Sequence, residues 1–460
     1  MRKTFNVRRI FALPAVSLLL TAMLVQAADV SKQPARTSPD WLRNGTIYEI
    51  FPRDFSAVGN LNAVTAKLDQ LKDLGVTVLW IMPIHPIGEK GRKGEFGSPY
   101  SIKDYYAVDT NYGTIGDFKA LVNGAHQRGL KVIMDLVANH TSWDSVMMTN
   151  KNFYKQDAQG NVISPQPGWS DVAGLNYSNP QLREYMIAMM NYWVKTCDID
   201  GFRCDVAWGV PTDFWEQART ALEKTKPDIM MLAEANKPEL LTNAFDLDYS
   251  WPLLHTLDDV LMHGAPASKL QTTWQEDVNQ FPQNALHMRI SDDHDESRAI
   301  ARFGINGALA AQVLMFSLDG VPVLYNAMEV GDATESGDPA LFDKLPIVWA
   351  PRERPPLRDI YRSLIQLRKK YPAFTSNRVT WLRNSDESNL VTLMRSDKND
   401  EFVVVINFSN RPVTGSVKLE NGPDYRPVKI SGMPGVHDSS LPAFHLNGFE
   451  WRIYHRTLHP

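Results

Sequence analysis

Arg203 and Asp205 stand two residues apart in Gly201-Phe202-Arg203-Cys204-Asp205. In an extended segment side chains alternate, so the guanidinium and the carboxylate share a face while Cys204 points the other way. An arginine one pleat from an aspartate favours the ionised carboxylate, the state a nucleophile needs. Glu234 closes a second apolar run, Met230-Met231-Leu232-Ala233. Desolvation there raises a carboxyl pKa, the condition of a general acid. His294 and Asp295 lie in the charged run 292–296, and Asn139-His140 follows Asp135-Leu136-Val137-Ala138. One ionised and one protonated carboxyl, with a third acid and two imidazoles, can attack and protonate a single bond. Each fragment alone has an ordinary reading: an ion pair, a solvated acidic loop, or a helix cap. Their shared position at the ends of successive apolar runs gives them weight.

The elements that must position them are short β-branched runs alternating with amphipathic stretches. Segments 46–51, 76–81, 130–137, 200–206, 229–233, 245–249, 287–291 and 321–325 read as strands. Between them, Leu182, Tyr185, Met186, Met189 and Trp193 recur at helical spacing, as do Leu357, Ile360, Tyr361, Leu364 and Leu367. Strands alternating with helices imply parallel pairing, and eight such units imply an α/β fold of (β/α)8 TIM-barrel type. Catalytic groups of such barrels sit at the C-terminal ends of the strands. Residues 138–180 carry Gly160, Pro165, Pro167, Gly168 and Gly174 without a clear period, and read as a short insertion after strand 3. Beyond Pro372 the pattern changes to runs such as Phe402-Val403-Val404-Val405-Ile406, with Asn421-Gly422 and Asn447-Gly448 as turn signals. The expected organisation is a barrel over 28–371 and a C-terminal all-β domain, a β-sandwich, over 372–460.

The chain has 460 residues, 43% hydrophobic and 22% charged, with a formal net charge of −4. That is ample apolar material for a large core. Arg2, Lys3, Arg8 and Arg9 precede an apolar run over 10–25, and Val25-Gln26-Ala27 offers the small residues of a cleavage site. Residues 1–27 therefore read as a signal peptide, and the mature protein as periplasmic or secreted. Their removal takes away four cations and no anion. The more acidic protein that remains is a poor partner for nucleic acid or an anionic membrane. Two cysteines cannot build a disulfide scaffold or an ordinary zinc site. Cys197 and Cys204 are open to pairing or to remaining buried thiols, and the sequence settles neither.

Taken together and in order, these motifs resemble the α-amylase family of retaining glycoside hydrolases over residues 41–375. Tyr48-Glu49-Ile50-Phe51-Pro52-Arg53 looks like the family's first strand. Pro99-Tyr100 through Asp104-Tyr105-Tyr106-Ala107-Val108-Asp109 looks like the loop after its second. Segments 135–140 and 201–205, Glu234 and His294-Asp295 match its main motifs, Gly174-Leu175-Asn176 a further one, and Gly320-Val321-Pro322 the eighth strand.

The resemblance implies Asp205 as nucleophile, Glu234 as acid/base and Asp295 as stabiliser of the transition state. It further implies that Arg203 orients Asp205, that His140 and His294 bond the sugar, and that Tyr100 stacks beneath it. Such chemistry needs two carboxyls roughly 5–5.5 Å apart. The implied substrate is an α-glucan, polysaccharide or oligosaccharide, cut at α-1,4 bonds. An α-1,6-glucosidase or a glucanotransferase is the alternative, slightly supported by Val206 after the nucleophile; a non-catalytic sugar-binding relative is the remaining one.

The departures carry information too. Trp208 and Gly209 stand where the family often has Lys-His, and Gly174 where many members have a calcium-binding aspartate. Asn139 alone makes a poor calcium site, since the ion takes about six or more oxygens; no metal and no required cofactor are expected. Asp293 replaces the usual asparagine and is expected to add negative charge beside Asp295, and Ser101 replaces the aspartate after the stacking tyrosine. Trp143, Trp169 and Trp208 are candidate sugar platforms, Asp246 and Asp248 candidate cleft-liners, and His85 and His126 structural or exposed histidines.

Overall fold

The computed structural model describes residues 29–350, 357–433 and 440–458; the expected signal peptide lies outside them. All eight expected barrel strands form: β1 (Ile47–Ile50), β2 (Val78–Ile81), β3 (Lys131–Val137), β6 (Gly201–Asp205), β7 (Met230–Ala233), β8 (Leu247–Tyr249), β9 (His287–Arg289) and β10 (Val321–Tyr325). They close in the order β1-β10-β9-β8-β7-β6-β3-β2, all parallel. The intervening β4 (His140–Ser142) and β5 (Val172–Gly174) pair antiparallel in the insertion, His140 opposite Gly174. Parallel strands covered by helices are buried on both faces, which is why their sequences read as near-continuous apolar runs. Helix Pro180–Cys197 shows how sequence punctuates such a cover: Asn179 caps it through the Gln181 amide, Pro180 opens it, and Leu182, Met186, Met189, Met190 and Trp193 are buried.

Alternation along the strands decides which side chains enter the barrel. Ile47, Val78, Ile133, Met230, Leu232, Leu247, Val321 and Val323 form its inner core, and Leu79, Ile81, Val132, Met134, Met231 and Leu324 face the helices. By the same parity Glu49, Trp80, Asp135, Arg203 and Asp205 point inward, as does Glu234 just beyond β7. Cys204 points to the helical layer. It and Cys197 are both buried and free, which decides the pairing left open by the sequence. Burial raises both thiols, Cys197 to about 11.

The C-terminal strands are β11 (Val379–Trp381), β12 (Leu390–Ser396), β13 (Asp400–Asn407), β14 (Val413–Ser416), β15 (Arg426–Pro427), β16 (Ala443–Leu446) and β17 (Trp451–Thr457). They form a five-stranded sheet, β11-β12-β13-β17-β15, and a two-stranded one, β14-β16. Val403, Val405 and Tyr454 pack with Phe444 and Leu446 in a core of their own, while Phe402, Val404, Ile406 and Ile453 join the main core. Burial on both faces explains the unbroken run 402–406.

Arg368, on helix Leu357–Lys370, fastens this junction. Its Nη1 donates to the carbonyls of Phe316, Leu318 and Phe374, and its Nη2 to that of Gly320. Each buried carbonyl left unpaired costs about 1–3 kcal/mol. Arg368→Ala is therefore expected to lower the unfolding free energy by at least about 3 kcal/mol, read from urea titrations; a loss under about 1 kcal/mol would contradict this role.

Candidate active site

Arg203 is the centre of the barrel mouth. It is fully buried, and its Nε donates to Tyr249 Oη at 3.1 Å. Nη1 donates to Asp135 Oδ1 and Asp205 Oδ1, each at 3.0 Å, and Nη2 lies 3.0 Å from Glu234 Oε2. Register explains the convergence: Asp135 of β3 lies opposite Arg203 of β6, and Glu234 follows the β7 residue that pairs with Cys204. The indole of Trp80 lies 5.2 Å from the guanidinium and donates Nε1–H to Asp135 Oδ2 at 3.2 Å.

Asp205 and Glu234 thus occupy adjacent prongs of one cation. Asp205 Oδ2 is buried and makes no hydrogen bond; His140 Nε2 stands 3.9 Å away. Glu234 Oε2 accepts the Val206 amide at 2.7 Å. Burial raises Asp205 well above the usual carboxylate range, the charge of Glu234 adds to this, and Arg203 opposes it. Glu234 is raised by burial too, with Arg203 opposing. Arg203 acts on Asp205 in the expected direction, favouring the ionised form, but not on that carboxyl alone. One guanidinium serves Asp135, Asp205 and Glu234 together, so the carboxyls titrate as a set.

The remaining expected site residues gather around this pair. Tyr100 is buried, and its hydroxyl lies 2.7 Å from His294 Nε2 and 3.2 Å from Asp135 Oδ2. His294 Nε2 also lies 3.4 Å from Asp295 Oδ1. Asp295 is the accessible acid of the group, its side chain 35% exposed. Burial pushes His140 down to about 4, leaving a neutral imidazole edge-on to Trp169 at 5.5 Å. The cleft therefore contains Tyr100, His140, Arg203, Asp205, Glu234, His294 and Asp295 together.

Asp293 departs from expectation. It is fully buried, and its Oδ1 accepts the amides of Asp295 and Glu296 at 3.1 Å each. Burial and the neighbouring Asp295 push it well above the usual carboxylate range. It shapes the turn carrying Asp295, and burial opposes the negative charge expected beside that residue.

Val206 adopts φ 46° and ψ 42°, a left-handed conformation that a β-branched residue rarely takes. Its cost, about 1–3 kcal/mol, is sustained where its amide grips Glu234. The turn Ala207–Gly209 follows, held by Trp215 Nε1–H donating to the Ala207 carbonyl at 3.1 Å. A Cβ on Gly209 would stand 2.9 Å from Asn139 Oδ1, so a larger residue there would require the Asn139 amide to shift. Trp208, at the crest of this turn, is 47% exposed.

Of the other tryptophans, Trp143 ties its loop down by donating to the Ser170 carbonyl at 2.9 Å. Asp246 and Asp248 do not line the cleft. Asp246 lies one residue before β8 and pairs with Arg219 at 2.5 Å. Asp248 has outward parity, since Leu247 and Tyr249 face in, and pairs with His287 at 2.6 Å. His85, buried and bound to the Ala107 carbonyl at 3.0 Å, and His126, paired with Asp200 at 2.7 Å, are structural as expected. Among the described residues no group of three or more His, Cys, Asp or Glu is arranged to hold a metal ion.

Glu49, Trp80, Asp135 and Tyr249 complete the site without having been assigned a part in it. A usable signal existed for the two acids, since each interrupts an apolar barrel strand at an inward position.

A carboxyl-lined cleft at the C-terminal mouth of a (β/α)8 barrel, crossed by one buried arginine, has the architecture of a barrel glycoside hydrolase. Comparison with known proteins agrees. The sequence matches the α-amylase catalytic-domain family over residues 47–171 and 167–404, and the chain belongs to that family. It is 26% identical over 437 residues to the α-amylase MalA of Haloarcula japonica, covering 91% of this chain and 63% of that one. The chain thus spans less than two thirds of that relative's length. Among solved structures it resembles an α-amylase from Lactobacillus plantarum, with 30% identity, a TM-score of 0.81, and coverage of 90% of this chain and 99% of that one. It also resembles the maltogenic α-amylase AmyB of Thermotoga neapolitana, with 30% identity, a TM-score of 0.82, and coverage of 91% and 100%.

Proposed function

We propose that the protein is an exported, retaining α-glucan hydrolase that cleaves α-1,4 bonds of starch-type polymers or maltodextrins. The observation that carries this reading is the Arg203 guanidinium with Asp205 on one prong and Glu234 on the other. Asp205 Oδ2, free of hydrogen bonds, attacks the anomeric carbon. The bond to the leaving oxygen breaks, and that oxygen takes the proton of Glu234. Glu234 Oε2 is committed to Val206 and Arg203, so the transferable proton sits on Oε1. The Glu234 carboxylate then takes a proton from water, whose oxygen displaces Asp205 from the sugar and restores the α configuration. Asp295 and His294 hold sugar hydroxyls by bonds that strengthen as the oxocarbenium character develops. The reaction so written uses side chains alone. Export rests on the character of residues 1–27.

The names of the relatives, α-amylase and maltogenic α-amylase, fit this substrate class. Parallel digestion of maltoheptaose and isomaltotriose tests it. Products from the first alone are expected; cleavage of the second alone would move the assignment to α-1,6 bonds.

One observation favours transfer to sugar acceptors as a second activity. Trp208 offers an exposed indole two residues past the amide that grips the acid, and an aromatic face binds a sugar in place of water. Trp208→Ala is expected to weaken maltotriose as an acceptor roughly tenfold, the equivalent of about 1.4 kcal/mol. Hydrolysis of short substrates is expected to stay within about threefold. An unchanged ratio of transfer to hydrolysis would remove Trp208 from the acceptor side.

A further inference from the structure

Glu49 is an acid on the floor of the cleft to which the scheme above gives no task. It is fully buried on β1, in register with Trp80 and Tyr325, and its inward neighbours Ile47, Val78 and Val323 are apolar. Burying a carboxyl there is costly unless it is matched. Its Oε2 makes no hydrogen bond, and its Oε1 lies 2.5 Å from His294 Nδ1. No scaffold group shares the acid, so its placement serves the histidine. The imidazole is held on its other sides as well. Tyr100 lies nearly parallel to it at 5.5 Å and 21°, Trp80 meets it edge-on at 5.7 Å, and Nε2 faces Tyr100 Oη and Asp295.

We infer that Glu49 is a positioning residue: it fixes His294 from below with Nδ1–H directed down, so that Nε2–H is presented to Asp295 and the bound sugar. This rests on the hydrolase reading of the cleft. A carboxylate behind an imidazole sets both its orientation and its protonation. Burial alone would lower His294, but Asp295 and Glu49 raise it to about 10. Other charged groups face the pair. Burial raises Glu49, while His294 and Arg203 favour its ionised form; Arg203 disfavours a charged His294, and Asp293 favours the imidazolium. Asp135 and Glu234 face the imidazole from β3 and the end of β7, and Tyr249 and Tyr325 flank Glu49 as neutral phenols.

With Glu49 in place the imidazolium persists through neutral pH and is lost only as pH rises toward 10. With Glu49→Gln the opposition to burial weakens, and deprotonation falls into the neutral range. The test is a histidine NMR titration of the 15N-labelled protein, with His294 identified by its loss in His294→Gln. In the wild-type protein His294 is expected not to titrate between pH 5 and 9; in Glu49→Gln it is expected to titrate within that range. In parallel, Glu49→Gln is expected to lower kcat on maltoheptaose by about 30-fold or more with KM within about threefold. In Glu49→Gln a further loss of activity is expected as pH rises through the lowered His294 pKa, and Glu49→Asp is expected to remove most of that loss. A wild-type His294 that titrates near 6.5 overturns the inference, even if Glu49→Gln fails to fold. So does an activity loss in Glu49→Gln that is uniform across pH. A wild-type protein inactive on every α-glucan, yet with His294 locked as the imidazolium, supports the Glu49–His294 pair and refutes the hydrolase reading instead.

Discussion

Asp205→Asn is expected to lower kcat on maltodextrins by about 10⁴-fold or more while leaving KM within a few-fold. The amide retains the shape of the side chain and an oxygen for Arg203 Nη1, 3.0 Å away in the native protein. It cannot form the glycosyl ester. The loss therefore falls on the chemical step, and the fold, followed by thermal melting, is expected to hold. The variant also removes a buried group that burial and Glu234 raise, which relieves the crowding of carboxyls around one cation. Single-turnover kinetics on maltoheptaose, with the variant purified from a host lacking amylase, provide the measurement. Residual activity above about one hundredth would mean that another group attacks.

Glu234→Gln carries the second large effect, and its substrate dependence is diagnostic. On natural glucans, whose leaving sugar needs a proton, kcat is expected to fall by about 10²–10⁴-fold. On α-maltosyl fluoride, whose leaving group needs none, the first step is expected to be nearly unaffected. Equal losses on both substrates would contradict the assignment of the proton to Glu234.

The pH profile follows from the same residue. A raised Glu234 stays protonated to higher pH, so kcat/KM on glucans is expected to hold through the mildly acidic range. It then falls as pH rises through the Glu234 pKa. A raised Asp205 places the acid limb above the ordinary aspartate value of about 3.9. On the fluoride, whose first step needs no proton, kcat/KM is expected to lack the alkaline limb attributed to Glu234 even in the wild-type protein.

Most of the frame was legible because parallel barrel strands announce themselves as short apolar runs, and alternation alone placed Arg203 and Asp205 on one face. The same rule, applied without knowing where each strand begins, misled at the sixth strand. Asp246 and Asp248 share a parity, but it is the outward one, set by Leu247 and Tyr249 in the inner core. Charge states were less legible than positions. Whether Arg203 ionises Asp205 depends on how many other carboxyls share the guanidinium, and Asp135 and Glu234 arrive from distant parts of the chain. Asp293 was harder to read for a related reason, since burial first and then the nearby Asp295 raise it, and burial is not visible in the local sequence. Glu49 and Asp135 were visible as acids in apolar strands, but nothing local reveals that their partners are His294 and Arg203. Val206 shows the opposite limit: an ordinary residue type in an unusual backbone conformation leaves no mark in the sequence.

The account stands on a covalent bond between a sugar and Asp205. Incubation with 5-fluoro-α-D-glucosyl fluoride, followed by intact and peptide mass spectrometry, tests that bond directly. The expected result is one fluoroglucosyl group on the peptide that contains Asp205, absent in Asp205→Asn, from a protein that releases α-configured products from maltoheptaose. An unmodified protein that releases β-configured products, or a label on another carboxylate, would contradict it.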